Sequence, residues 1–414
     1  MYLGVYGYKN AGGPLNLTYE EHFKSHRPDG RHVSTLAAHM EALRNLKPLC
    51  SFPKELTKEN FSQFQQDVKK YALELLNMPE PTPQPAPVML SSVQRNGYRV
   101  EKWEFYPDDY TAVPFLALIP DDASAENPVP AVLCYLGSNH PKEFNGGEPL
   151  PDHPNYITPH HAGRNQMGLQ VVQNGMAAFI FDNPAIGETS VMTPKELGES
   201  QRYTRSVLCQ NLLDCGLPYV GLTVFQRMQF VDQHLVKLAY IDPEKIAIAA
   251  HSLGTEAAIF QGVIDERIKG IVFNEDLHDD RRRFMCITEH PAETMFQNYG
   301  NWHIVPGQFS TFGYQDMCAA FAPRYLGMTE GGADEWMHTI QRAYQFCGAE
   351  DHLLINYYTD YLDANKRQMD VNVPNYGISC DEFYQVYMYV NVSDHSYRGT
   401  PAMQLLKRCM GMEV

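Results

Sequence analysis

The sequence is short of charge. Only 20% of its 414 residues are Asp, Glu, Lys or Arg, against 44% hydrophobic residues. That balance argues against a disordered chain or a coiled coil and leaves enough apolar side chain for one large core. A basic stripe is also missing. The densest cationic cluster, Arg281 to Arg283, follows Asp279 and Asp280, and the formal net charge is −16. A field of that sign disfavours nucleic acid and anionic membrane as partners. No apolar run reaches the length of a membrane span, and the opening stretch MYLGVYGYKNAGG has neither the basic region nor the apolar run of a signal peptide. A cytoplasmic protein is the expectation. The nine cysteines, scattered from Cys50 to Cys409, include no CxxC pair and read as small buried hydrophobes rather than disulfides or metal ligands. Histidines do not cluster at closed-site spacing either; His160-His161 reads as a polar loop pair, so neither a metal nor a cofactor is expected.

What the chain does have is 29 glycines and 28 prolines, which suit an α/β protein with many loops. Residues 1–78 carry helical patterning. STLAAHMEALRNL offers Ser34 as a cap, and TKENFSQFQQDVKKYALELLNM offers Thr57, with Asn60 completing a weaker capping box. PEPTPQPAPV, residues 79–88, stops any helix and reads as an extended strap. Residues 1–90 thus read as a helical N-terminal extension with a proline-rich strap, and residues 91–414 as the main domain.

Beyond the strap, GYRVEKWEFYP and AVPFLALIP alternate as an antiparallel pair should. VPAVLCYLG, MAAFIFD, KIAIAA, GIVFN, RYLGMTE and LLINYY are short, nearly continuous apolar runs, the pattern of strands covered on both faces. Helical candidates lie between them: Asn165 to Gln173, Arg202 to Asp214, Phe225 to Leu238, Gly254 to Gln261 and Glu335 to Cys347. Such alternation calls for right-handed crossovers and a mostly parallel central sheet flanked by helices. Three connections, residues 138–164, 275–313 and 359–394, exceed ordinary loop lengths. Over an open sheet they should gather at the strand C-terminal ends and wall a pocket.

One segment carries chemistry. In IAIAAHSLGTEAA, residues 246–258, a buried strand runs into Ala250-His251-Ser252-Leu253-Gly254 and then into a helix-like pattern. Ser252 is either the cap of that helix or a nucleophile held out on a sharp strand-to-helix turn. The flanking context favours the nucleophile, because the turn wants small residues where the backbones approach and has Ala250 and Gly254 there. The same turn brings the Leu253 N–H towards the place where an oxyanion would develop. A second donor belongs on the loop after VLCYLG, where Gly137 and Ser138 are the natural candidates, with Leu136 or Asn139 as substitutes. A serine hydroxyl needs a base. His395, in the polar turn NVSDHSYRG, is the latest histidine in the chain; His338 and His352 begin a helix and a strand, and His251 is read as shaping the pocket wall. For the acid, Asp334 in the turn EGGAD leads, with Glu330 at the end of the same strand and Asp276 after GIVFN as competitors. Asp334 would otherwise cap the helix beginning near Glu335.

With these residues the chain resembles the α/β-hydrolase superfamily, in particular its dienelactone-hydrolase-like and acetylxylan-esterase-like branch. The similarity covers roughly residues 95–410: EKWEFYP and VPFLALIP ahead of the core strands, FIFDNPAIGET at the place of an Asp-x-x-Gly-x-Gly-like loop, IDPEKIAIAAHSLG at the elbow, and FAPRYLGMTEGGAD before the acid. Ala250 stands where the family's elbow usually has glycine, and residues 359–394 separate the last strand from His395. The resemblance implies a cofactor-free hydrolysis of carboxylic esters through a Ser252, Asp334 and His395 triad. Trp302, Tyr314, Trp336 and Tyr384, in or near the insertions, are candidates for stacking on sugar rings, so a small ester, with an acylated carbohydrate favoured, is the expected substrate. A peptidase or amidase of the prolyl-oligopeptidase type is the nearest alternative, although about 90 helical residues cannot build the propeller such enzymes carry. A non-catalytic hydrolase-fold binding protein is the alternative of a different class. The N-terminal helices either cover the mouth of the site or form the interface of a homo-oligomer, for which a dimer is the expectation.

Overall fold

The computed structural model describes residues 21, 24–138, 141–148, 165–191, 201–274, 300–330, 334–355, 397 and 399–414. The eight runs noted above become β2 to β9 of one nine-stranded sheet: β1 (Val88–Gln94), β2 (Tyr98–Phe105), β3 (Val113–Pro120), β4 (Val129–Tyr135), β5 (Ala177–Phe181), β6 (Ile241–His251), β7 (Ile268–Asn274), β8 (Tyr325–Glu330) and β9 (Leu353–Ile355), in the spatial order β1-β2-β3-β5-β4-β6-β7-β8-β9. The pairs β1/β2, β2/β3 and β3/β5 are antiparallel, and every pair from β5/β4 to β8/β9 is parallel. The expected mostly parallel sheet, with GYRVEKWEFYP and AVPFLALIP antiparallel at one side, is the one observed. Strand β1 is an addition. Its residues are exposed on both faces, so neither alternation nor a continuous buried run marked it, and its backbone pairing with β2 decides its state.

Successive side chains of a strand point to opposite faces, and the core divides accordingly. On one face Phe115, Leu133, Phe179, Ile248 and Phe273 meet helices; on the other Leu116, Val132, Ile180, Ala249 and Val272 do. The helices are α1 (Thr35–Arg44), α2 (Lys58–Leu76), α3 (Lys142–Asn145), α4 (Met167–Gln173), α5 (Gln201–Asp214), α6 (Tyr219–Gln233), α7 (Gly254–Ile264), α8 (Gln308–Thr311), α9 (Tyr314–Phe321), α10 (Asp334–Cys347) and α11 (Gly399–Cys409). Helix α6 begins at Tyr219 behind Pro218, earlier than its apolar spacing suggested, since proline at the N-cap lacks a donor that a helix start would leave unused. Helix α2 starts with the anticipated capping box: the Thr57 side chain accepts from the Asn60 amide, and Asn60 reciprocates. Its Phe61, Phe64, Val68, Ala72 and Leu76 enter the same apolar cluster as the sheet. Of the described helices, no single one is long and apolar enough to cross a membrane.

Chain order reverses direction across β4, which has β5 on one side and β6 on the other. At such a switch point the loops leaving adjacent strands splay apart and open a crevice at their C-terminal ends. The loops after β4, β5 and β6 therefore converge, and Ser252 lies on the third of them.

Candidate active site

Strand β6 enters the site buried, from Ile246 to His251, and turns at Ser252 with φ 53°. A residue bearing a β-carbon is disfavoured in this left-handed region, so the surroundings must hold it there. They do so through backbone hydrogen bonds on both sides: the Ser252 N–H donates to the Asn274 carbonyl at 3.0 Å, and the Ser252 carbonyl accepts from Thr255 at 2.9 Å. The Ser252 side chain is half-buried, between the buried His251 and Leu253. It does not cap α7. Leu253, whose side chain cannot accept a hydrogen bond, occupies the N-cap position. The Leu253 N–H stands at the start of α7, where helical amides have no intrahelical acceptor and the helix dipole is positive.

Small residues at this corner have a direct steric reason. A β-carbon on Gly254 would fall 2.6 Å from the carbonyl carbon and oxygen of Tyr135 and 2.8 Å from the Leu136 oxygen. Helix α7 thus starts in contact with the backbone of β4, and only glycine fits. Gly137, on the loop after β4, is nearly as tight. A β-carbon there would lie 3.0 Å from the His251 ring and 3.3 Å from the Ser252 β-carbon. The loop with Gly137 and Ser138 therefore rests against the serine, and the His251 ring packs on that loop, with Nδ1 3.5 Å from the Asn274 amide.

The rest of the anticipated set is distributed unevenly. Glu330 ends β8 and pairs with Asn274 of β7, which puts it at the strand end next to the elbow's own neighbour. Asp334 opens α10; the side chains of Glu330 and Asp334 are outside the described residues, as are Asp276, Asn139 and His395. His352 donates from Nδ1 to the Pro323 carbonyl at 2.6 Å and stacks on Tyr325, away from the switch point. Among the aromatics suggested as sugar platforms, Tyr314 is a correction: it is buried in the main core, where a large apolar ring is ordinary filling. Trp302 is buried as well, but beside the elbow. It clusters with Leu253, Tyr219 and Cys209. The Trp336 side chain, Tyr384 and the His160-His161 pair lie outside the described residues.

Several neighbours of the elbow had no signal in the sequence. Arg205 of α5 is fully buried, its guanidinium 3.8 Å from the Trp302 ring centre and its Nη1 donating to the Ser138 carbonyl at 2.9 Å. His303, next to Trp302, bonds Glu256 of α7 through Nδ1 at 2.5 Å. Below the loop after β5, Lys142 is fully buried among Asp182 (2.9 Å), Glu143 (2.9 Å) and Glu188. Burial opposes its charge, but the three carboxylates outweigh that and raise its pKa. Glu188 is likewise disfavoured by burial, yet Lys142 and Lys102 hold its carboxyl below the ordinary value; Glu143, more deeply buried, is raised chiefly by desolvation. A left-handed Ala185 and Gly187, whose β-carbon would strike the Asp182 carboxylate at 2.6 Å, complete a loop built around that aspartate.

A model of the Abhydrolase family matches residues 18–408. Among solved structures the chain is similar to a Bacteroides fragilis NCTC 9343 protein provisionally assigned as an acetyl xylan esterase, at 30% identity and a TM-score of 0.82 over 93% of this chain and 97% of that one. A glucuronoyl esterase from Solibacter usitatus shares the fold at 15% identity and a TM-score of 0.51, covering 73% of this chain and 86% of its own. A methylesterase does so at 14% identity and 0.52, over 89% of this chain and 74% of its own. No protein of curated function is significantly similar in sequence.

Proposed function

The chain belongs to the Abhydrolase family and has the α/β-hydrolase fold, and on that premise we propose that it is a serine-dependent carboxylic ester hydrolase that removes acyl groups from a carbohydrate. The observation that carries this reading is Ser252 itself, half-buried at positive φ on the strand-to-helix corner of the switch point, with its oxygen not used as a helix cap. The 30%-identical relative assigned as an acetyl xylan esterase supports an acetylated sugar as the substrate class.

In the proposed reaction the Ser252 oxygen attacks the ester carbonyl while His395 takes its proton, and Asp334 orients that imidazole; Glu330 and Asp276 are the alternative acids. The N–H of Leu253 and a donor at Gly137 or Ser138 stabilise the tetrahedral oxyanion. His395 then protonates the departing alcohol and activates the water that hydrolyses the acyl-enzyme. The order Ser252, Asp334, His395 along the chain supports these roles.

The test begins with a fluorophosphonate probe on the intact protein. Covalent labelling at Ser252, lost in Ser252→Ala without loss of folding, is the expected result. Turnover would then be compared on acetylated xylo-oligosaccharides, methyl glucuronate esters, acyl-p-nitrophenyl esters and aminoacyl amides. Acetylated sugars should give the highest kcat/KM. A folded protein that neither labels nor turns over any ester refutes the proposal, and a preference for the amides replaces the esterase by a peptidase.

A further inference from the structure

The loop after β4 is held from behind with unusual completeness. Its three consecutive carbonyls each accept from a buried side chain: Asn183 Nδ2 donates to Leu136 O at 3.0 Å and Gly137 O at 2.9 Å, and Arg205 Nη1 to Ser138 O at 2.9 Å. The donors are themselves fixed. Asn183 is 3% exposed, and its carbonyl accepts from the Ile186 amide and the Thr189 hydroxyl. The preceding Asp182 carbonyl accepts from the buried Arg227 at 3.0 Å, and its carboxylate accepts from Lys142 and from the Glu188 amide. The Arg205 guanidinium sits over the Trp302 ring, which clusters with Leu253.

A trans peptide is planar, with the C=O of one residue antiparallel to the N–H of the next, and the one cis bond among the described residues is Ala322–Pro323. Holding the Leu136 and Gly137 carbonyls towards Asn183 therefore turns the N–H groups of Gly137 and Ser138 the opposite way. The same loop touches the serine, since a β-carbon on Gly137 would come within 3.3 Å of the Ser252 β-carbon. We infer that Asn183, seconded by Arg205, is a positioning residue for acyl transfer: it presets the orientation of the oxyanion-binding amides after β4 before any substrate arrives. This rests on the ester-hydrolase reading above and deepens it. Preset dipoles need no reorganisation as charge develops, so the bracing acts on the transition state and hardly on the ground-state ester.

The experiment uses the full chain. Asn183→Ala, Asn183→Leu, Arg205→Met and Arg205→Lys are compared with wild type for Tm, fluorophosphonate labelling, and kcat and KM on p-nitrophenyl acetate. Each also gives the Ki of a trifluoromethyl ketone, whose hemiketal with Ser252 places an oxyanion in the same position. Deleting an oxyanion donor outright lowers kcat by roughly 10²–10³, so loosening its orientation should lower kcat by about 10–100-fold in the Asn183 variants. KM should stay within about twofold, and the ketone Ki should rise by the same factor as kcat falls. Arg205→Lys, which can still donate to Ser138, should keep most of the activity that Arg205→Met loses. A merely structural role would not move Ki and kcat together. Folded Asn183 variants with kcat within about twofold of wild type, or with the loss confined to KM, overturn the inference while leaving the esterase intact. If the Asn183 variants fail to fold, equal kcat in Arg205→Lys and Arg205→Met overturns it. A wild type that does not label or hydrolyse esters overturns the underlying reading instead.

Discussion

Replacing Ser252 by glycine should leave the protein inactive yet more stable than replacing it by alanine. At φ 53° a residue with a β-carbon pays about 1–2 kcal/mol of local strain. Serine and alanine carry that strain equally, and glycine does not. Against this, glycine loses more conformational freedom on folding, which costs about 0.5–1 kcal/mol. The difference leaves Ser252→Gly ahead of Ser252→Ala by about 0.5–1 kcal/mol. Equilibrium urea unfolding of the two variants, read by intrinsic fluorescence, should show the later midpoint for glycine with the same slope, and turnover should be abolished in both. Comparing the two variants removes the hydroxyl from consideration, so the result reports backbone geometry alone. A glycine variant less stable than the alanine variant by a similar margin would refute the claim that the corner is strained in order to present its side chain. It would also return the serine to an ordinary helix start.

Other consequences follow from the packing around that corner. Gly254→Ala drives a β-carbon into the Tyr135 and Leu136 backbone; overpacking of this kind costs about 1–3 kcal/mol, and kcat should fall with Tm because the ends of β4 and α7 carry the proposed oxyanion donors. His234 is buried against Trp103, Phe115 and Phe230, and desolvation, opposed by Glu101 and aided by Lys237, pushes its pKa down to about 4. Its folded value lies below the unfolded value of about 6.5, so the stability it supports is present above that pH and is lost as pH falls towards 4. Proton linkage puts the loss between pH 7 and pH 5 at about 2 kcal/mol. His234→Phe should remove that increment from a urea series at the two pH values, and an unchanged slope with pH would count against it. Lys142→Met leaves Asp182, Glu143 and Glu188 facing one another, with Lys102 beside Glu143 and Glu188 and Arg227 at the Asp182 carbonyl. Breaking a buried ion cluster on one side costs about 3–5 kcal/mol, so Tm should drop sharply, and the deficit should narrow as the carboxylates protonate on acidification. A wild-type Tm in this variant would show the cluster to be dispensable.

The fold was legible because its signals are local. Strands such as VPAVLCYLG and KIAIAA are covered on both faces and so are apolar without interruption, and the helices between them keep a helical period. The strand-to-helix corner was legible for the same reason: β6, the turn with Ser252 and α7 lie within one short stretch, and the crowding that demands glycine at 254 acts on neighbouring residues. Strand β1 was not legible, since exposure on both faces leaves no pattern, and only pairing with β2 makes it a strand.

By itself the sequence determined which serine stands at the strand-to-helix corner and in what backbone setting, because chain-local sterics write themselves into residue size and spacing. The bracing of that serine's surroundings was decided by tertiary structure alone. Asn183, Arg205 and Trp302 sit far along the chain from the carbonyls and rings they meet; Asn183 and Arg205 are unremarkable in their own segments, and Trp302 stood out only as an aromatic ring. Their roles arise where the sheet order reverses at β4 and folds three separate loops into one crevice, a convergence that no local pattern of side chains encodes.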